Sequence, residues 1–100
     1  MFVHHVFFWL KNPDSAEEYA RLLNGLKTLK QIEPVNLVHI GEPALTNRSV
    51  IDTSYTFSLL LIFEDLQEHD HYQQHPIHYK FIEDCSALWS KVIVYDSTDV

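Results

Sequence analysis

The chain has 100 residues and a mass of 11.8 kDa, enough for one hydrophobic core, since single cores usually run to about 100–150 residues. Hydrophobic residues make up 46% and charged residues 21%, with two Gly and four Pro, which excludes disordered and collagen-like classes. Fourteen acidic against seven basic side chains leave a net charge of −7, which disfavours nucleic acid and anionic membrane surfaces as partners. One domain spanning residues 1–100 is expected.

Along the chain, Phe2 to Leu10 (FVHHVFFWL) is β-branched and aromatic and ends at the turn signal Lys11-Asn12-Pro13-Asp14, so it reads as a strand. Alternation puts Phe2, His4, Val6, Phe8 and Leu10 on one face and Val3, His5, Phe7 and Trp9 on the other. Both faces are apolar. Ser15 with Glu18 forms a capping-box pair, and Ala16, Tyr19, Ala20, Leu23, Leu26 and Leu29 then recur at helical spacing, predicting an amphipathic helix that stops before Pro34. Leu37 to Ile40 has strand character, Thr46 to Asp52 reads as a loop, and Tyr55 to Phe63 (YTFSLLLIF) is a second apolar strand. Asp65 and Glu68 cap a short helix that Pro76 breaks, and Pro76 itself suits the first position of a new helix. That helix carries Ile77, Phe81, Cys85, Leu88 and Trp89 on one stripe to about Lys91, before a final strand from Val92 to Tyr95.

This order predicts an α+β, ferredoxin-like βαββαβ fold with a four-stranded antiparallel sheet. Helices in that topology cover one sheet face, so two-faced apolar strands leave the other exposed. A homodimer packed through that sheet face is the expected cover. Cys85 is the only cysteine, so no disulfide framework or thiolate zinc site can form within one chain, and a cytoplasmic location is expected. No apolar run reaches the length of about 18 residues that a bilayer span needs.

Seven histidines are unusual in 100 residues, and His69, His71, His75 and His78 fall together. Three uses compete for this segment. His71, His75 and His78 are spaced three or four apart as metal ligands could be, but Pro76 interrupts the helix and no carboxylate or thiolate completes a signature, so no evolved metal site is expected. A neutral imidazole could instead act as a base while a phenol stabilises an oxyanion, roles that suit His78 and Tyr72, with His4 or His5 reaching the same pocket. The bland alternative is a set of solvated histidines, with His75 capping the helix that begins at Pro76. Trp9, Phe57, Phe81 and Trp89 are core by default and Cys85 a small core residue.

The opening strand with His5, the Tyr72-x-x-His75-Pro76-x-His78 segment, Phe81, Trp89 and the closing Tyr95-Asp96 resemble the stress-responsive A/B barrel (Dabb) family across nearly the whole chain. The resemblance implies a dimeric α/β barrel and, through olivetolic acid cyclase-like polyketide cyclases, a cofactor-free activity. It implies His78 as the base, Tyr72 as the hydrogen-bond donor and His5 as a pocket residue. The odd-numbered face of the first strand would then look toward the helices. Phe7, Trp9, Leu23, Phe57, Leu59, His75, Phe81 and Trp89 would line a cavity for a small apolar carbonyl compound. His4 would face the opposite side, and His39, His69 and His71 would lie on the surface. Phe57 replaces a pocket histidine of such cyclases, implying a drier cavity, and Tyr79 and Lys80 imply a narrower one. A non-catalytic binding or structural stress-response dimer is the alternative function.

Overall fold

A computed structural model describes residues 1–100. Strands β1 (Phe2–Leu10), β2 (Leu37–Gly41), β3 (Phe57–Phe63) and β4 (Trp89–Thr98) form one sheet in the order β2-β3-β1-β4. Every neighbouring pair is antiparallel. Helix α1 (Ala16–Thr28) follows β1, and α2 (Leu66–Gln73) and α3 (Pro76–Cys85) lie between β3 and β4. This is the expected ferredoxin-like fold.

The helix starts follow from local chemistry. Ser15 Oγ accepts from Glu18 N–H at 3.2 Å, and Asp65 Oδ1 accepts from Glu68 N–H at 2.9 Å, each meeting a donor that the first helical turn leaves free. Leu22, Leu26 and Leu29 make the inner stripe of α1 and its 3₁₀ extension, all at 0% exposure. Two boundaries depart from expectation. β3 begins at Phe57 rather than Tyr55: Thr56 N–H still donates to the Phe8 carbonyl at 2.7 Å, but the Leu10 N–H goes to the Thr56 hydroxyl at 3.1 Å instead of to a backbone carbonyl. The last helix ends at Cys85, and a 3₁₀ turn at Ser86–Leu88 leads into β4 at Trp89. Trp89 pairs with Leu10 beside a register shift, so the ladder captures residues whose spacing also suited a helix.

Cross-strand neighbours share a face, and the partition here reverses the expected one. Phe2, His4, Val6, Phe8 and Leu10 are 3–6% exposed and lie under the helices with Phe57, Leu59 and Leu61. Val3, His5, Phe7 and Trp9 occupy the helix-free face with their partners Leu60, Ile62, Ile93 and Tyr95. The polar needs of Trp9 suit this choice. Its indole N–H donates to Ser54 Oγ at 3.1 Å, and Lys91 Nζ lies 4.6 Å from its ring centroid.

Candidate site between the first strand and the broken helix

Helix α2 turns one side toward the end of β1. His69, Tyr72 and Gln73 are three and four residues apart, so they share that side, and His78 joins them from the start of α3. Tyr72 is 1% exposed, with Phe63 and His78 ring centroids 5.3 and 4.9 Å away. His4 stands between strand and helix, 4.8 Å from His69 and 6.1 Å from Tyr72 by ring centroids. Asp96, opposite His4 on β4, accepts from its Nδ1–H at 2.6 Å. Gln73 Nε2 lies 3.4 Å from Nε2 of both His4 and His69.

These side chains adjoin a cavity of about 180 Å³ that His4, Tyr72, Gln73 and His78 line with Val6, Phe8, Leu59, Phe81 and Trp89. Its outer wall is the edge strand, where Val92 and Val94 are 42% and 47% exposed because no helix covers them. A larger cleft of about 630 Å³ runs between α1 and α3, lined by Arg21, Asn24, Thr28, Lys80 and Asp84 among others, but it contains no histidine. The smaller cavity holds the chemistry.

Burial shapes the ionisation of the group. The His78 imidazole is held below the usual histidine range, first by burial and then by the positive charge that His4 and His69 can carry. Its Nδ1 is buried with no hydrogen-bond partner. Burial also lowers His4, against the opposing pull of Asp96. It raises the Tyr72 phenol well above the usual tyrosine range, so that hydroxyl stays protonated.

Of the residues expected at the site, Tyr72, His78, Leu59, Phe81 and Trp89 meet at this cavity. His5, Phe7 and Trp9 do not, because their strand parity directs them to the helix-free face, and His4 takes the place assigned to His5. Leu23 and Phe57 instead line a separate surface cleft with Tyr19 and Ile40. His75 is committed to capping, since its Nδ1 accepts from Ile77 N–H at 3.1 Å. Its ring centroid is 6.3 Å from that of exposed His71, and these two do not converge with His78 on one point. Tyr79 is 58% exposed and Lys80 pairs with Asp84 at 3.1 Å, so neither narrows the cavity. His69, expected on the surface, is 9% exposed against Phe2 and Phe63. Its spacing from Tyr72 and Gln73 was the available signal, obscured because α2 is too short and polar to show an apolar stripe.

The sequence profile of the stress-responsive A/B barrel domain matches residues 2–99. Among solved structures, a Dabb family protein with a ferredoxin-like fold from Mesorhizobium loti is 26% identical, with a TM-score of 0.82 over 99% of this chain and 96% of that one. A dimeric ferredoxin-like protein from Thermobifida fusca is 13% identical, with a TM-score of 0.78 over 98% and 90%. A hydroxynitrile lyase from Passiflora edulis is 18% identical, with a TM-score of 0.75 over 96% and 90%. No curated protein matches the sequence.

Proposed function

The chain belongs to the stress-responsive A/B barrel domain family, and on that footing we propose that it binds a small apolar carbonyl compound and moves a proton on it without a cofactor. The observation that carries this reading is the His78 imidazole, whose Nδ1 is buried without a partner beside the buried phenol of Tyr72. A neutral imidazole in that position can remove a proton from the carbon next to a carbonyl. The Tyr72 hydroxyl can donate to the oxygen as charge develops there. His4, held by Asp96, closes the far side.

The cavity of about 180 Å³ limits the substrate, because pockets for drug-sized ligands usually run to about 300–1,000 Å³. A short β-keto ester or thioester, the smallest form of an olivetolic acid cyclase-type substrate, fits the chemistry. The hydroxynitrile lyase, at 18% identity, is similar to this chain in fold. The lone cysteine, Cys85, is free and buried, which suits the reducing cytosol.

An NMR titration of the histidines tests the assignment. His78 should titrate below 6.5, and its midpoint should move in Tyr72→Phe. A His78 that titrates at the ordinary histidine value and ignores that substitution would remove the proposed base.

The working unit is a homodimer. The helix-free face presents Val3, Phe7, Trp9, Leu60, Ile62 and Ile93, all partly exposed, side by side, and contiguous apolar patches of this kind mark interaction surfaces. Covering about 800 Å² on each partner would make an interface of ordinary size, and the Thermobifida fusca protein of the same fold is dimeric. Sedimentation equilibrium at micromolar concentration should return twice the 11.8 kDa chain mass. Phe7→Lys, which puts a charge in the middle of this patch, should return the single chain mass. A monomeric unsubstituted protein would refute this assembly.

A further inference from the structure

We propose that His4 and His69 form a binding site for a zinc-class divalent cation, with the Asp96 carboxylate as its charge partner. Histidine spacing along the chain pointed elsewhere, to His71, His75 and His78, and only the fold brings residues four and sixty-nine together.

Three observations carry the proposal. First, ligand-capable atoms of His4, His69 and Asp96 all lie within 4.8 Å of one another, although they come from β1, α2 and β4. Ligand atoms of a tetrahedral zinc site stand roughly 3.4 Å apart, so a small side-chain adjustment brings the two imidazoles onto one ion, while Asp96, already on His4 Nδ1, supplies negative charge from behind the ring.

Second, the two rings are already aimed at one point. Nε2 of each lies 3.4 Å from the same Gln73 amide nitrogen. A carboxamide N–H₂ placed between two ring nitrogens can donate to each, the arrangement in which both Nε2 atoms carry the lone pairs a metal ion needs. A half-turn of the carboxamide would present its oxygen to the same point.

Third, the outer edge of each ring rests on a carboxylate. His4 Nδ1 meets Asp96 Oδ1 at 2.6 Å and His69 Nδ1 meets Asp70 Oδ1 at 3.2 Å. A carboxylate on the far nitrogen fixes the tautomer and strengthens the ligating one, which is how metal-binding histidines are usually held. The cation would add positive charge where two buried imidazoles face one acidic strand edge. It would also sit on the wall of the cavity that Tyr72 and His78 line, without using either as a ligand.

Zinc chloride titrated by calorimetry into the full chain, freed of metal by chelation, is the direct test. One ion per chain is expected, and cobalt(II) in its place should give the visible absorption of a low-coordinate site with nitrogen ligands. His69→Ala and Asp96→Asn should each weaken zinc binding at least about tenfold, whereas His71→Ala with His75→Ala should leave it unchanged. Asp96, whose side chain is 40% exposed, keeps the test open should His69→Ala fail to fold. No binding, or binding lost with His71 and His75 and indifferent to Asp96→Asn, would overturn the site. The readout needs no turnover, so it stands or falls apart from the proposed proton transfer.

Discussion

Leu26→Ala is expected to lower stability by about 2–5 kcal/mol, a large share of the roughly 5–15 kcal/mol that holds a domain of this size together. Leu26 is fully buried, between Leu22 and Leu29 on the inner stripe of α1. The loss combines the transfer of the side chain with the hole it leaves. The hole should stay open. Beside it, Gly25 lets α1 approach α3 so closely that a Cβ there would overlap Cys85 Sγ and come within 3.2 Å of Phe81. Helix α1 is therefore already seated against α3 and has little freedom to settle inward, which places the cost in the upper half of the range. Urea unfolding followed by circular dichroism measures it. A loss under about 1 kcal/mol would mean that the core re-forms around the gap.

His78→Ala is expected to lower turnover of a β-keto thioester by about 100- to 10,000-fold, the usual worth of a general base. Tyr72→Phe should cost about 100- to 1,000-fold if the phenol donates to the developing oxyanion. The pH profile supplies an independent check. Because burial, together with His4 and His69, holds His78 below 6.5, the neutral base persists to lower pH than a solvated histidine would allow. Activity should be lost only as pH falls through that lowered value, and the acid limb of the profile should lie below 6.5. At high pH the raised Tyr72 phenol keeps its proton beyond the ordinary tyrosine range, so the plateau should be wide. Activity that survives His78→Ala would exclude the proposed base.

The order of elements could be read from the chain because each carries its own signal. Ser15 and Asp65 mark helix starts by their side-chain chemistry, and Pro76 both ends one helix and begins another. Tyr72 and His78 could be picked from the broken helix for the same local reason. The inward face of β1 could not. Apolar residues stand on both sides of that strand, one side covered by helices and the other suited to a second copy, so alternation identifies two faces without ranking them. The family resemblance favoured His5, and the packing of Phe2, Val6, Phe8 and Leu10 under the helices selected His4. Asp96 and Gln73 stayed out of view for a different reason. Each acquires its role from a partner far away in sequence, Asp96 through its register opposite His4 and Gln73 by reaching both His4 and His69.

The pairing of β1 with β4 joins the first strand of the chain to the last, and His4 with Asp96 spans 92 residues of sequence. Contacts between segments so far apart are costly to form early, because most of the chain must be ordered before they are rewarded. The cavity wall formed by Val92 and Val94, and the carboxylate that holds His4, are therefore expected to arrive late in folding. Until then β1 exposes an unpaired edge with a strongly apolar sequence, a template for pairing with another chain. The central strand that organises the finished site is thus the segment most exposed to misassembly while the molecule is still incomplete.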